Sequence, residues 1–390
     1  MMSEMITKAK NATRSIFLVC GLGISSWAPM VPFAKERLQL NDASLGLLLL
    51  LLGGGAITMM PISGYLGHKY GNRIVILIAT LVIAAMLPLL LFMNTVWTMA
   101  ICLFIFGSAI GTVDVAMNSH AVQVEHIYGK PIMSSFHGLF STGGLFGALG
   151  LGFLIKMGLT PIATALSISV LLVLIVFRFY NSFLDRATQM RIGQEQSSGI
   201  VAAKNNTRPW LKKSVLFLGM MCFFVFLSEG AMLDWSAVFL HENRGVEEEL
   251  AGMGYAAFSV AMATMRLFGD GIVSRLSGRV VVVGGSLIAA TGLSIVVFTP
   301  WAAASLFGFV LLGLGAANIV PVFFSEAGRL KNIPASVSIP VITTIGYAGQ
   351  LAGPALLGFI AHGFSLPIAL GFTGSLFLIV ALAYTFKKTV

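Results

Sequence analysis

Long apolar stretches separated by short polar ones dominate the chain, and their length predicts helices that cross a membrane. Twelve can be drawn, over residues 15–34, 44–66, 74–93, 97–121, 133–155, 159–180, 214–240, 250–272, 280–298, 301–325, 335–360 and 366–386. About 20 residues at 1.5 Å rise match the ~30 Å hydrocarbon core, and a helix satisfies its own backbone hydrogen bonds there. No stretch shows the ~10-residue alternation of a membrane barrel strand. The segment Met1–Arg14, with Lys8, Lys10 and Arg14 ahead of an apolar run, has the outline of a signal peptide. The run that follows is a full span with more behind it, so the segment reads as part of a retained first helix.

The one long polar segment, 181–213, is rich in Gln, Ser, Asn, Lys and Arg and reads as a linker. It divides the chain into an N-terminal six-helix half, 1–180, and a C-terminal six-helix half, 214–390. The halves look like copies. At a constant offset of 206, Gly143, Gly147, Leu151, Gly152, Phe153, Pro161, Ile162 and Ala163 meet Gly349, Gly353, Leu357, Gly358, Phe359, Pro367, Ile368 and Ala369, and Gly107 meets Gly313. Three glycines and a proline kept in an ungapped register are hard to obtain by accident. The expected fold is therefore an all-α membrane protein of twelve transmembrane helices in two pseudo-symmetric halves. Transporters built from parallel repeats hold their solute between the halves near the bilayer midplane.

Composition narrows this further. Apolar residues make up 57%, charged residues only 10%, and the mean hydropathy is +0.92, against roughly 25% charge in a soluble domain. A net charge of +9 raises the question of nucleic acid, but the basic residues collect in alternate loops. With both termini on one side, 19 of the 24 fall on that side; Lys35, Arg37, Lys156 and Arg244 oppose them, and Arg266 lies within a span. The bias places both termini in the cytoplasm and argues against a nucleic-acid partner. Cys20, Cys102 and Cys222 sit in apolar spans without CxxC or His neighbours, which indicates neither a disulfide frame, a metal site nor a cofactor. No catalytic spacing of nucleophile and base appears, so no enzyme is expected.

Carboxylates at membrane depth are expensive and face a cavity or a partner. Glu229 and Asp234 lie in the run 221–240, and Asp114 lies in the fourth stretch, four residues from Asn118 and on the stripe of Gly107 and Gly111. Glu229 and Asp114 are the candidate proton carriers, with His137 as a third exchangeable group. Each has a plainer reading: Asp114 as an anchor for a neighbouring helix, His137 as a packing group, and Asp234 with Trp235 as groups at the outer interface. Neutral polar contacts to a solute come from Asn118, Asn318, Tyr347 and Gln350, and Trp27 and Trp235 suit stacking on a sugar or flat ring. With no cation expected near the midplane, anionic solutes are disfavoured.

The stretch GYLGHKYGNR, residues 64–73, resembles the loop signature of the major facilitator superfamily, through Gly64, Leu66, Lys69, Gly71 and Arg73; His68 stands where the family has Asp. The resemblance implies an inner-face latch, which a neutral His cannot supply in the same anionic form. Arg266 and Asp270, four apart in the eighth stretch, look like a decayed second copy able to pair with each other. Through GTVDVAMNSHAV (111–122), SSFHGLFSTGGLFGA (134–148), LSEGAMLDW (227–235) and VITTIGYAGQLAGPALLG (341–358), the chain is most similar to a YbjJ-like bacterial subgroup, itself distantly similar to the fucose permease group. This implies a monomer in the bacterial inner membrane, with protons and a small solute as partners. The expected function is proton-coupled symport of a small neutral, sugar-like solute. A proton-driven exporter of amphipathic or cationic compounds and a non-transporting sensor or scaffold are the rivals.

Overall fold

The computed structural model describes residues 2–40, 42–197, 211–247, 250, 252–330 and 333–387. Among them eleven helical segments are long and apolar enough to cross a membrane, Ala302–Ala327 being counted as one across its internal break, and α1 (Met2–Ser25) precedes them. The apolar stretch expected at 15–34 is thus displaced. Its helix begins at Met2, with Ala9, Ala12 and Thr13 fully buried, and ends at Ser25. Pro29 and Pro32 lack the amide needed to continue the ladder, and the chain restarts as a 3-10 turn and the short α2 (Val31–Arg37).

The chain packs as two units. The first comprises Met1–Gly129, Leu139–Trp210 and Gly328–Val341, and the second Lys130–Gly138, Leu211–Ala327 and Ile342–Val390. The first holds α1, α2, α3 (Asp42–Tyr70), α4 (Asn72–Phe92), α5 (Val96–Tyr128), most of α6 (Met133–Lys156), α7 (Pro161–Phe179) and α8 (Arg186–Ser197). The helix α8 falls inside the segment read as a linker; Gln189 and Ile192 on it are buried. The second holds α9 (Lys213–Arg244), α10 (Met253–Leu276), α11 (Gly278–Phe298), α12 (Ala302–Ala316), α13 (Ile319–Ala327), most of α14 (Ala335–Gly363) and α15 (Leu366–Phe386).

The repeat seen in the letters is a repeat of contacts. A Cβ on Gly107 would strike the Leu52 carbonyl, and a Cβ on Gly313 would strike the Phe258 carbonyl. Both partners of both pairs are related by the same 206 residues. In the first unit α6 closes on α1 through Gly143 and Gly147 at the carbonyls of Leu18 and Leu22. In the second, α14 closes on α9 through Gly349 and Gly353 at those of Phe223 and Leu227. Small residues are what allow backbones to approach this closely in lipid, where apolar side chains gain nothing by leaving the tails. Helix starts repeat as well: Thr160 accepts from Ala163 N at 3.2 Å ahead of α7, and Ser365 from Ile368 N at 3.4 Å ahead of α15. A proline stands in the first turn of each.

The four basic residues on the sparse side include two with a structural task. Arg37 donates from Nε to Met93 O at 3.0 Å, from Nη2 to Leu90 O at 2.8 Å and also to Leu91 O, closing the end of α4. Arg244 donates from Nη2 to Val296 O at 2.7 Å and Val297 O at 3.2 Å, closing the end of α11, and lies over the Phe239 ring. The last carbonyls of a helix have no partner within it, and a guanidinium satisfies several at once. Burial lowers the pKa of both from its usual value.

Alanine at Gly107 should lower unfolding stability by about 1–3 kcal/mol, because the added carbon meets backbone that has nowhere to go. Gly284→Ala, where a Cβ meets nothing within 4 Å, should be neutral or stabilising by up to about 1 kcal/mol. Thermal unfolding of the two purified variants reads the contrast.

Candidate functional site

In the second unit the embedded charges gather around Arg266 on α10, whose side chain is 8% exposed. Its Nη2 lies 3.6 Å from Glu229 Oε1 on α9, and its Nε donates to Ala317 O at 3.0 Å. The reason that carbonyl is open lies four residues on: Pro321 has no amide to return to it. The apolar stretch 301–325 is accordingly not one helix. It breaks between α12 and α13 at Ala317 and Asn318, and the carbonyl exposed by the break is taken by a cation from the neighbouring helix.

Asn318 is 2% exposed and donates from Nδ2 to Met265 O at 3.4 Å. Its Oδ1 has no hydrogen-bond partner among the described residues. A Cβ on Gly269 would run into that oxygen, so the glycine holds the space open for it. The first turns of α6 belong to this set. Ser135 N donates to Asp270 Oδ1 at 2.9 Å, the His137 ring lies 5.6 Å from that of Phe324, and Gly138 rests on the backbone at Arg266 and Leu267. Asp270, expected to pair along its own helix with Arg266, therefore also serves as an anion at the N-terminus of α6, where free amides favour it.

The other candidates of this unit have packing contacts. Trp235 donates its indole N–H to Pro354 O at 3.1 Å, and its ring lies against Gly358. Tyr347 meets Phe226 edge to face, with ring centroids 5.9 Å apart. Gln350 is exposed, with its backbone against Gly230. Asp234 lies on α9, but its side chain is outside the described residues.

In the first unit Asp114 and Asn118 come together on α5, as their spacing predicts. Asn118 donates from Nδ2 to Asp114 O at 2.9 Å and to Asp114 Oδ1 at 3.4 Å. Asp114 is 7% exposed and Asn118 fully buried, and Asn118 Oδ1 has no hydrogen-bond partner among the described residues. Trp27 sits at the break after α1, buried, with its indole N–H likewise unpartnered among the described residues. Gly64 lies against Pro340 and the Ser336 carbonyl at the start of α14. Gly71 takes φ +88° between α3 and α4, Lys69 lies over the rings of Tyr65 and Tyr70, and Arg73 stacks on Tyr180 and donates to Asn181 at 2.5 Å. His68 is exposed.

One group escaped the sequence reading. His120 is fully buried; its Nε2 accepts from Leu184 N at 3.0 Å, which leaves the proton on Nδ1, 3.0 Å from Thr13 Oγ1. Thr13 passes its own proton to Ala9 O at 2.8 Å. The neutral ring thereby ties α5 to α1 and to the chain after α7. No sequence neighbour signals this, since every partner lies far off in the chain.

The sequence profile of the Major Facilitator Superfamily matches residues 15–332. An uncharacterized MFS-type transporter of Yersinia pestis is 48% identical over 370 residues, covering 95% of this chain and 93% of the relative. Membrane protein MosC of Rhizobium meliloti is 31% identical over 376 residues, covering 95% and 88%. Among solved structures, the E. coli fucose:proton symporter FucP superimposes with a TM-score of 0.73 at 15% identity, covering 97% of this chain and 98% of that one. The proton:xylose symporter XylE does so with a TM-score of 0.73 at 12% identity, covering 99% and 96%. At such identities the likeness is one of fold.

Leucine at Arg266 should cost about 3–5 kcal/mol, because it strands Glu229 at depth. The double variant Arg266→Leu with Glu229→Leu should regain most of that loss. Thermal unfolding of both in detergent measures the coupling, and equal stabilities would deny it.

Proposed function

We propose, since the chain belongs to the Major Facilitator Superfamily and is a multi-pass transporter of a small solute rather than an enzyme, that it couples proton movement to a polar, neutral, sugar-like solute. It works by alternating access of two six-helix halves, 1–180 and 214–390, joined by the segment 181–213. The observation that carries the proposal is the embedded pair of Glu229 and Arg266 beside the broken helix at Asn318. Until a proton arrives each charge cancels the other, so in that state the cation that the sequence reading did not expect at depth presents no net charge to an anion. Neutral hydrogen-bonding groups then select the solute.

The pair also supplies a coupling step. At 3.6 Å the carboxylate and guanidinium are beyond hydrogen-bond length, and Glu229 Oε1 has no hydrogen bond among the described residues. A proton arriving on Glu229 removes the charge that holds Arg266, leaving the guanidinium to the Ala317 carbonyl. Arg266, still held at the Ala317 carbonyl, can then turn toward a solute hydroxyl. Asp114, hydrogen-bonded to Asn118, is the second carrier, and His137 the third exchangeable group. Asn118, Asn318, Trp27, Trp235, Asp234, Tyr347 and Gln350 are the solute contacts in this reading. Gly64, His68, Lys69, Gly71, Arg73, Arg266 and Asp270 form the gating set.

The same reading places a monomer in the bacterial inner membrane with both termini in the cytoplasm. It rests on the basic bias of the loops, and Arg37 and Arg244 on the sparse side are accounted for as helix caps. The likeness to fucose:proton and proton:xylose symporters agrees with a sugar-like solute at the level of fold.

The test is solute-induced proton entry into proteoliposomes, read with a trapped pH dye, over a panel of neutral sugars and polyols. A solute that alkalinises the medium with the native protein should fail to do so with Glu229→Gln, while still raising the melting temperature of that variant. Undiminished proton entry in Glu229→Gln would remove the residue from the coupling mechanism.

A further inference from the structure

A cavity of about 280 Å³ lies wholly within the first unit. Its walls come from the corner between α3 and α4, from α5 at Ser119 and Gln123, from α8, and from the first turn of α14 at Pro334–Ser336. The volume is near the small end of ligand pockets, ~300–1,000 Å³.

Two buried amide atoms on its wall lack hydrogen-bond partners among the described residues. Gln189, 6% exposed, accepts from Asn72 N through Oε1 at 3.0 Å. That bond fixes which end of the amide is oxygen, and its Nε2 is left without a hydrogen bond among the described residues. Gln123 has the complementary need: its buried Oε1 has no donor among them. Buried amide groups in this condition are costly unless something enters to pair with them. The charge of the lining is one-sided. Arg186 is a cation, and the lining contains no carboxylate among the described residues.

We propose that this cavity binds a small hydroxylated anion, its acidic group set against Arg186 and the Gln189 amide and a hydroxyl donated to Gln123. The occupant supplies an acceptor where the wall has a spare donor and a donor where it has a spare acceptor. Because the wall joins α8 and the α3–α4 corner to the first turn of α14, occupancy ties those three segments together. On the transporter reading above, that makes the site a brake operated from the face that carries the linker. The binding itself does not depend on that reading.

The site is tested on full-length purified protein by thermal shift and calorimetry with glucose 6-phosphate, inorganic phosphate and, as the neutral control, glucose. Glucose 6-phosphate should stabilise the protein, with glucose giving no such effect at equal concentration. Arg186→Gln, at an exposed position, should weaken the binding about tenfold through loss of a charge-assisted contact. Gly193→Phe adds bulk to the cavity wall at a position where a Cβ meets nothing within 4 Å, and should abolish binding without lowering the melting temperature of the free protein. Arg275→Gln, an equal charge change at an exposed site in the other unit, should leave it intact.

A lipid headgroup carries the same chemistry. Stabilisation in nanodiscs of phosphatidylglycerol over phosphatidylcholine, lost in Arg186→Gln and Gly193→Phe while soluble anions give no shift, would identify the lipid as the source. Affinity for glucose 6-phosphate that survives both variants would overturn the site. So would the absence of any shift with both the soluble anions and the anionic lipid, which would leave the cavity to water. Loss of proton coupling in Glu229→Gln is read separately and bears on neither outcome.

Discussion

Hydrocarbon offers no water to a polar group, so every carbonyl, amide and charge at depth has to be answered from within the chain. The break at Asn318 shows how far this one constraint reaches. Pro321 removes an amide, the Ala317 carbonyl is left open, and Arg266 from α10 takes it at 3.0 Å. The guanidinium brought there to serve a carbonyl also needs an anion, and Glu229 from α9 stands 3.6 Å away. A missing hydrogen atom in one helix thus organises three helices and fixes where the embedded charges sit. The rule repeats at the ends of α4 and α11, whose last carbonyls are closed by Arg37 and Arg244. It appears once more at His120, where a neutral ring spends one nitrogen on Leu184 and the other on Thr13.

Duplication has preserved contacts more faithfully than residues. The close approach of α3 to α5 at Leu52 and Gly107 returns as that of α10 to α12 at Phe258 and Gly313. The partner residue changes from Leu to Phe because only its backbone carbonyl takes part. Where the halves diverge, the divergence is chemical. Gly64 and Asp270 are separated by the same 206 residues. Gly64 admits the ring of Pro340 and the Ser336 carbonyl at the start of α14, whereas Asp270 presents a carboxylate to the amide of Ser135 at the start of α6. Both face a helix beginning, but only the second uses the free amides found there.

Much of this was legible in the sequence. Span length and the glycine register are properties of the letters alone, and they predicted the helical membrane fold and its repeat. Four-residue spacing likewise brought Asp114 to Asn118. The failures share a cause. The first helix was drawn too late because its polar half, with Thr13, is buried by distant residues that hydropathy does not see. The tenth stretch was drawn unbroken because apolar letters hide a proline's missing donor. Spacing offered Arg266 its i,i+4 neighbour Asp270 but could not show Glu229, which stands 3.6 Å away from a position 37 residues earlier in the chain. The segment read as a linker contains α8, which is polar on average and whose buried side chains, Gln189 and Ile192, signal burial only once their neighbours are known.

A buried ion pair is a poor way to stabilise a membrane helix bundle, since desolvating two charges offsets most of their attraction and well-packed apolar side chains hold as firmly. The pair of Glu229 and Arg266 is poorer than most, being longer than a hydrogen bond. Its geometry makes sense as that of a contact built to be given up. The guanidinium keeps a second partner in the Ala317 carbonyl, so losing Glu229 to a proton does not leave it unanswered. The carboxylate has no other hydrogen bond among the described residues, so neutralisation leaves little behind that must be broken. An arrangement selected for stability alone would have satisfied both groups fully or removed both. A cation that keeps the Ala317 carbonyl, set against a carboxylate whose Oε1 has no hydrogen bond among the described residues, is biased toward releasing the anion, which is the asymmetry the proposed proton-driven step requires.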